Sequence, residues 1–188
     1  MPREAHDSSP LKNLKIENFI SKWMEPEIVA GERMSAKIAK AFDAAISPDT
    51  YAVLHLRREL DGCRGERQLY EREALGFMAR LSKRVRGKAT HRRLPPDQRF
   101  LPNAITIEKL FDGPHLNVML RRPANWEFDA FEAVLREEWL KSPWAATDQR
   151  AVKIMERERG SNLVGYCHKE GDEALLIETL SFGLVAAS

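Results

Sequence analysis

Apolar residues in this chain recur at two different spacings, and the switches between them mark out the elements. From Lys12 to Ile46 the spacing is helical. Leu14, Phe19, Ile20 and Trp23 share a face ahead of Pro26, and Met34, Ile38, Phe42 and Ile46 then recur every fourth residue until Pro48 ends the run. Thr50–Leu60, TYAVLHLRREL, favours an extended chain between Pro48-Asp49 and Asp61-Gly62 and is the first predicted strand. Glu66–Arg86 returns to helical spacing, with Leu69, Ala74, Phe77, Met78 and Leu81 as its stripe and Val85 extending it. Ala104–Leu110 and His115–Leu120 alternate as two strands around the hairpin signal Asp112-Gly113. Pro114, lacking an amide hydrogen, belongs at the turn edge of the second of them. Glu127–Lys141 is an amphipathic helix with Phe128, Phe131, Leu135 and Trp139 on one side, stopped by Pro143. Arg150–Met155 reads as a short strand, Gly160-Ser161-Asn162 opens a helix carrying Tyr166 and Lys169, and Glu173–Leu180 is the last predicted strand.

This order, β-α-β-β-α-β-α-β behind a helical extension, predicts an α+β fold: a central, largely antiparallel sheet with helices packed on it. Residues 1–48 form the expected N-terminal extension and 49–188 the domain. A chain of 188 residues holds one hydrophobic core rather than two. No apolar run approaches a membrane span, and the start, MPREAHDSSP, has no secretion-signal segment, so no membrane partner is expected. Cys63 and Cys167 make no disulfide framework, which sets a reduced, cytoplasmic environment as the default.

Charge changes the picture locally. The net charge is only +2, yet Ala74–Pro96 holds Arg80, Lys83, Arg84, Arg86, Lys88, Arg92 and Arg93 and no acid, while the four charged residues after Lys169 are all acidic. Part of the positive charge complements the C-terminal dipole of the predicted helix. The rest, continuing past Gly87 as a basic loop into Pro95-Pro96, suits a phosphate backbone, with nothing in its residue order that reads bases. A solvated helix face is the bland alternative.

The chemistry-bearing residues gather on the predicted hairpin. His115 and Asn117 point to one face of their strand, and Glu108 reaches that face across the turn. An acid, an imidazole and an amide oxygen form a donor set suited to Mg²⁺ or Mn²⁺. On the predicted helix, Tyr166 and Lys169 project together at i and i+3. A tyrosine beside a divalent ion can attack a phosphodiester, with a lysine offsetting charge. His55, in the first strand, reads as a packed or surface histidine, and Cys167 and His168 as incidental.

At these residues the chain resembles the HUH endonucleases, specifically the rolling-circle replication initiators of bacterial plasmids and phages. YAVLHL, His115-Leu116-Asn117 and Tyr166-Cys167-His168-Lys169 stand in the order of that family's three motifs. FMARLSKRVRGKATHR ahead of the hairpin and HLNVMLRRPANWEFDAFEAVLREEW after its turn resemble the same group, so that the likeness covers roughly Thr50 to Phe182. The resemblance implies a ferredoxin-like HUH sheet. It implies Glu108 and His115 as metal ligands, Tyr166 as the nucleophile that forms a 5′-phosphotyrosine, and Lys169 assisting. It also implies single-stranded or origin-hairpin DNA as substrate. Asn117 departs from the pattern, standing where the family carries its second histidine. A degenerate initiator that binds DNA without cutting it is therefore the alternative, and an unrelated interaction module a further one. With no Walker motif in the chain, unwinding would fall to a host helicase.

Overall fold

The computed structural model of the chain describes residues 43–57, 67–109, 113–148, 151–157, 174–176 and 179–182. Of the predicted extension, only its last helical turn, 43–46, lies among them; it ends ahead of Pro48 with Ser47 at a φ of 47°. The remaining elements, besides a single 3-10 turn at Pro96–Gln98, are β1 (Thr50–His55), α1 (Arg67–Arg86), α2 (Lys88–Arg93), β2 (Asn103–Glu108), β3 (His115–Leu120), α3 (Phe128–Leu140) and β4 (Val152–Glu156). The four strands form one sheet in the order β2-β3-β1-β4, each neighbouring pair antiparallel. The α+β class and the antiparallel sheet are thus as the spacing of apolar residues predicts.

Strand alternation divides the sheet into two unlike faces. One carries Ala52, Leu54, Ile105, Ile107, Leu116 and Val118, which pack beneath the helices. α1 contributes Tyr70, Ala74, Phe77, Met78 and Leu81, and α3 contributes Phe131, Leu135 and Trp139. Phe77 and Trp139 join the two helices edge to face, their ring centroids 5.6 Å apart. Opposite lies a smaller cluster in which Tyr51, Ala104 and Met119 meet Ile46, Leu175 and Leu180. Between its apolar members this second face is polar.

Three expectations need correction. The basic run after Gly87 is not a loop but the short helix α2. Gly87, at a φ of 79° that favours glycine, redirects the chain after α1. Leu94, held extended ahead of Pro95, ends the new helix. β1 stops at His55, with Leu56 making only an isolated bridge to Ala145. The expected last strand, Glu173–Leu180, is absent as a continuous ladder among its described residues. Leu175 bridges Thr106 and Ser181 bridges Asn103 along the outer edge of β2. Between them Thr179 N–H and Oγ1 both donate to the Leu176 carbonyl, at 3.0 and 2.7 Å, bonds made within the segment rather than to β2. The segment still covers the edge of β2, since Leu176 N–H donates to Ile105 O (2.8 Å) and Asn103 N–H to Ser181 O (2.8 Å).

Candidate functional site

The register of β2, β3 and β1 brings three ionisable side chains into a row on the polar face: Glu108 pairs with His115, and His115 with His55. Glu108 Oε2 stands 3.4 Å from His115 Nε2, and the Glu108 side chain is only 2% exposed. The rings of His115 and His55 follow at a centroid distance of 5.2 Å. On its other side His115 Nδ1 lies 3.3 Å from Gly113 O. With Nδ1–H donating to that carbonyl, Nε2 offers a lone pair to a cation or, when protonated, a second N–H to Glu108. Two cis ligands of one octahedral divalent ion stand roughly 3 Å apart, so the Glu108–His115 spacing fits such an ion.

Asn117, one step along the same face, is cross-strand partner to Thr106 on β2 and Val53 on β1. Its Oδ1 accepts a 2.6 Å hydrogen bond from Tyr51 Oη, and the pair is buried. Its Nδ2 and the neighbouring Thr106 Oγ1 are buried with no hydrogen-bond partner among the described residues. The oxygen expected to bind a metal is therefore already engaged, and the atom left over is a donor. Glu108 and His115 fit a divalent ion; Asn117 fits only if its oxygen is shared with Tyr51. Among the described residues, no three His, Cys, Asp or Glu side chains are arranged to hold a metal. The expected set itself contains only two of those types.

The Tyr51–Asn117 bond gives one stability prediction. Tyr51→Phe keeps the ring in the core and leaves the Asn117 side chain without a hydrogen bond among the described residues. Urea denaturation should show a loss of about 1–3 kcal/mol, the cost of stranding a buried polar group. A loss below about 0.5 kcal/mol would mean that the bond does not form.

Tyr166 and Lys169 lie outside the described residues. The basic residues are described, and they sit elsewhere. α1 packs on the apolar face, so Arg80, Lys83, Arg84 and Arg86, with Lys88, Arg92 and Arg93 on α2, lie across the sheet from Glu108, His115 and Asn117. They also differ among themselves. Arg86 points inward, donating to the carbonyls of Gln98 (2.6 Å) and Arg99 (2.9 Å), and burial lowers its pKa. Arg80 and Arg84 approach Glu73 and Glu137 at 3.5 and 3.9 Å. Lys83, Lys88, Arg92 and Arg93 are exposed cations.

Sequence reasoning undervalued His55 and missed Tyr51 and Thr106. Their membership depends on how β1 and β2 register against β3, and pairing between strands far apart in sequence leaves no local signal. Among the described residues no helix is long and apolar enough to cross a membrane. Compared with known proteins, the chain matches no family model, no curated protein and no solved structure.

Proposed function

We propose that the chain is an HUH-like replication initiator, a nickase and strand transferase acting on single-stranded or origin-hairpin DNA. One observation carries the reading. The hairpin register makes a buried acid the direct neighbour of an imidazole, with Asn117 on the same face of an antiparallel sheet. The order of the three sequence motifs supplies the rest. A Mg²⁺ or Mn²⁺ ion held by Glu108, His115 and, with its oxygen shared, Asn117 would supply electrostatic activation of the scissile phosphate. Tyr166 Oη attacks phosphorus and the P–O3′ bond breaks. The 5′-phosphate stays on the tyrosine, and the phenolic proton ends on the released 3′-hydroxyl. Lys169 offsets charge on the phosphate. A host helicase is the partner that would unwind the duplex beyond the nick.

Binding without cleavage is the second reading, and the capture of Asn117 Oδ1 by Tyr51 favours it. Labelled single-stranded oligonucleotides incubated with the protein in Mn²⁺ should form an adduct that survives denaturing gels and is absent in EDTA. Binding without any adduct would favour the second reading. Asn117→His then separates the two further: an imidazole restores the second nitrogen ligand, and adduct yield should rise several-fold if the site is a working metal centre. No change in yield would remove this position from the metal site.

A further inference from the structure

Two open hollows flank the basic surface of α1. The first, about 380 Å³, is lined by Ala79, Arg80, Lys83, His91, Arg92 and Arg99, with no carboxylate among them. Its basic groups come from three places: Arg80 and Lys83 from α1, His91 and Arg92 from α2, and Arg99 from the segment beyond. Arg99 is anchored by its Nε–H, which donates to Leu94 O at 3.1 Å. Arg80 Nε and His91 Nε2 are buried with no hydrogen-bond partner among the described residues. The second hollow, about 520 Å³, shares Arg80 and Lys83 as its wall and adds Arg84, Lys88 and Lys141. Its one carboxylate, Glu138, is covered by Lys141 Nζ at 2.6 Å.

We propose that the hollow between α1 and α2 seats a phosphodiester of a nucleic-acid strand whose next phosphates run over Lys83 into the second hollow, and that His91 takes up a proton as the strand binds. Donors converging from three elements surround a tetrahedral oxyanion, whereas a planar carboxylate meets only those in its plane. Two basic hollows sharing a wall suit anions repeated along a chain. Among the described residues no phenylalanine, tyrosine or tryptophan lines either hollow, so the seat tracks a backbone and reads no base. His91 fits the coupling. Its own burial, then the charges of Arg99, Arg86 and Lys83, hold it below the usual histidine range. Arg80 and Arg92 face the same hollow. A phosphodiester among these cations cancels their field, so the imidazole protonates more readily in the complex. Affinity then grows as pH falls through the bound-state pKa and levels off below the free-state one. The diester has no titration of its own in that range.

The seat lies across the sheet from Glu108, His115 and Asn117. It shares with the nickase reading only the class of partner. The test uses the full chain in EDTA with a fluorescent single-stranded oligonucleotide. Anisotropy should show affinity rising from pH 7.5 to 5.5, by up to about tenfold for each unit that the His91 pKa rises on binding. His91→Gln, which cannot titrate, should flatten the rise. Lys83→Gln combined with Arg92→Gln changes two exposed residues and should weaken binding about tenfold at low salt. The salt slope should fall by about 0.7 for each phosphate that is no longer neutralised. In NMR titrations the His91 ring should show a higher pKa with oligonucleotide than without. Unaltered binding by the double variant, an unmoved His91 pKa, or equal competition by polyglutamate would each overturn the proposal. Because no metal is present, failure here leaves adduct formation unexplained rather than refuted, and a missing adduct leaves this seat standing.

Discussion

Tyr166→Phe should abolish covalent attachment of oligonucleotide, by about a thousandfold or more, while leaving the affinity for the same oligonucleotide unchanged. The size follows from the chemistry. Phenylalanine keeps the ring and removes the one oxygen that can form a bond to phosphorus, and loss of a nucleophile is among the costliest changes to an active site. The composition narrows the choice, since the chain has three tyrosines. Tyr70 is 2% exposed in the helical core, and Tyr51 is 4% exposed with its hydroxyl spent on Asn117. Tyr51 is nevertheless on the polar face of β1, the strand that also carries His55, and is the internal control. An adduct that survives Tyr166→Phe and vanishes in Tyr51→Phe would move the nucleophile to β1. An adduct that survives both would remove Tyr166 and Tyr51 as the nucleophile and leave, of the three tyrosines, only the core residue Tyr70. Mass spectrometry of the adduct peptide gives the same answer without mutation.

Trp139→Ala has the largest expected effect on stability. The indole is fully buried between α1 and α3 and meets Phe77 edge to face, so truncation opens a cavity where the two helices join. Loss of such a side chain costs about 3–5 kcal/mol, and each kcal/mol corresponds to roughly 2–4 °C in Tm for a chain of this size. Trp139→Phe should cost distinctly less. The indole Nε1–H has no hydrogen-bond partner among the described residues, so this change removes only volume and part of the ring packing. Urea titrations should show the midpoint moving at an unchanged slope. A loss under about 1 kcal/mol for the alanine variant would mean that the helices are held together elsewhere.

Most of the described architecture was legible in the sequence because each element is two-faced. α1 and α3 carry continuous helical stripes, and β3 begins and ends where alternation predicts, at His115 and Leu120. Two elements were misread because a local feature broke the pattern or left none. The apolar run at 175–180 looks like a strand, yet Thr179 bonds back to Leu176, and the described residues meet β2 only at two isolated bridges and the Leu176–Ile105 hydrogen bond. α2 is only six residues long and has no buried residue, and therefore no stripe to detect. At the candidate site, Glu108, His115 and Asn117 were legible because one hairpin joins them. Tyr51 and His55 were not, since β1 reaches β3 only across some sixty residues of intervening chain. The basic cluster was legible as composition but not as location. Nothing in a run of lysines and arginines tells which side of a sheet its helix will cover.

That location has a bearing on how the molecule can change over time. The sheet and its helical core form an apolar partition, with cationic hollows outside it and the Glu108–His115 row beyond its far face. Charges so separated and screened by salt influence one another weakly. Substitutions on the two surfaces should therefore combine additively. On the readings proposed above, backbone affinity could drift, through Lys83, Lys88 or Arg92, without disturbing the contact between Glu108 and His115. The partition would then make grip and chemistry separately adjustable traits of one chain.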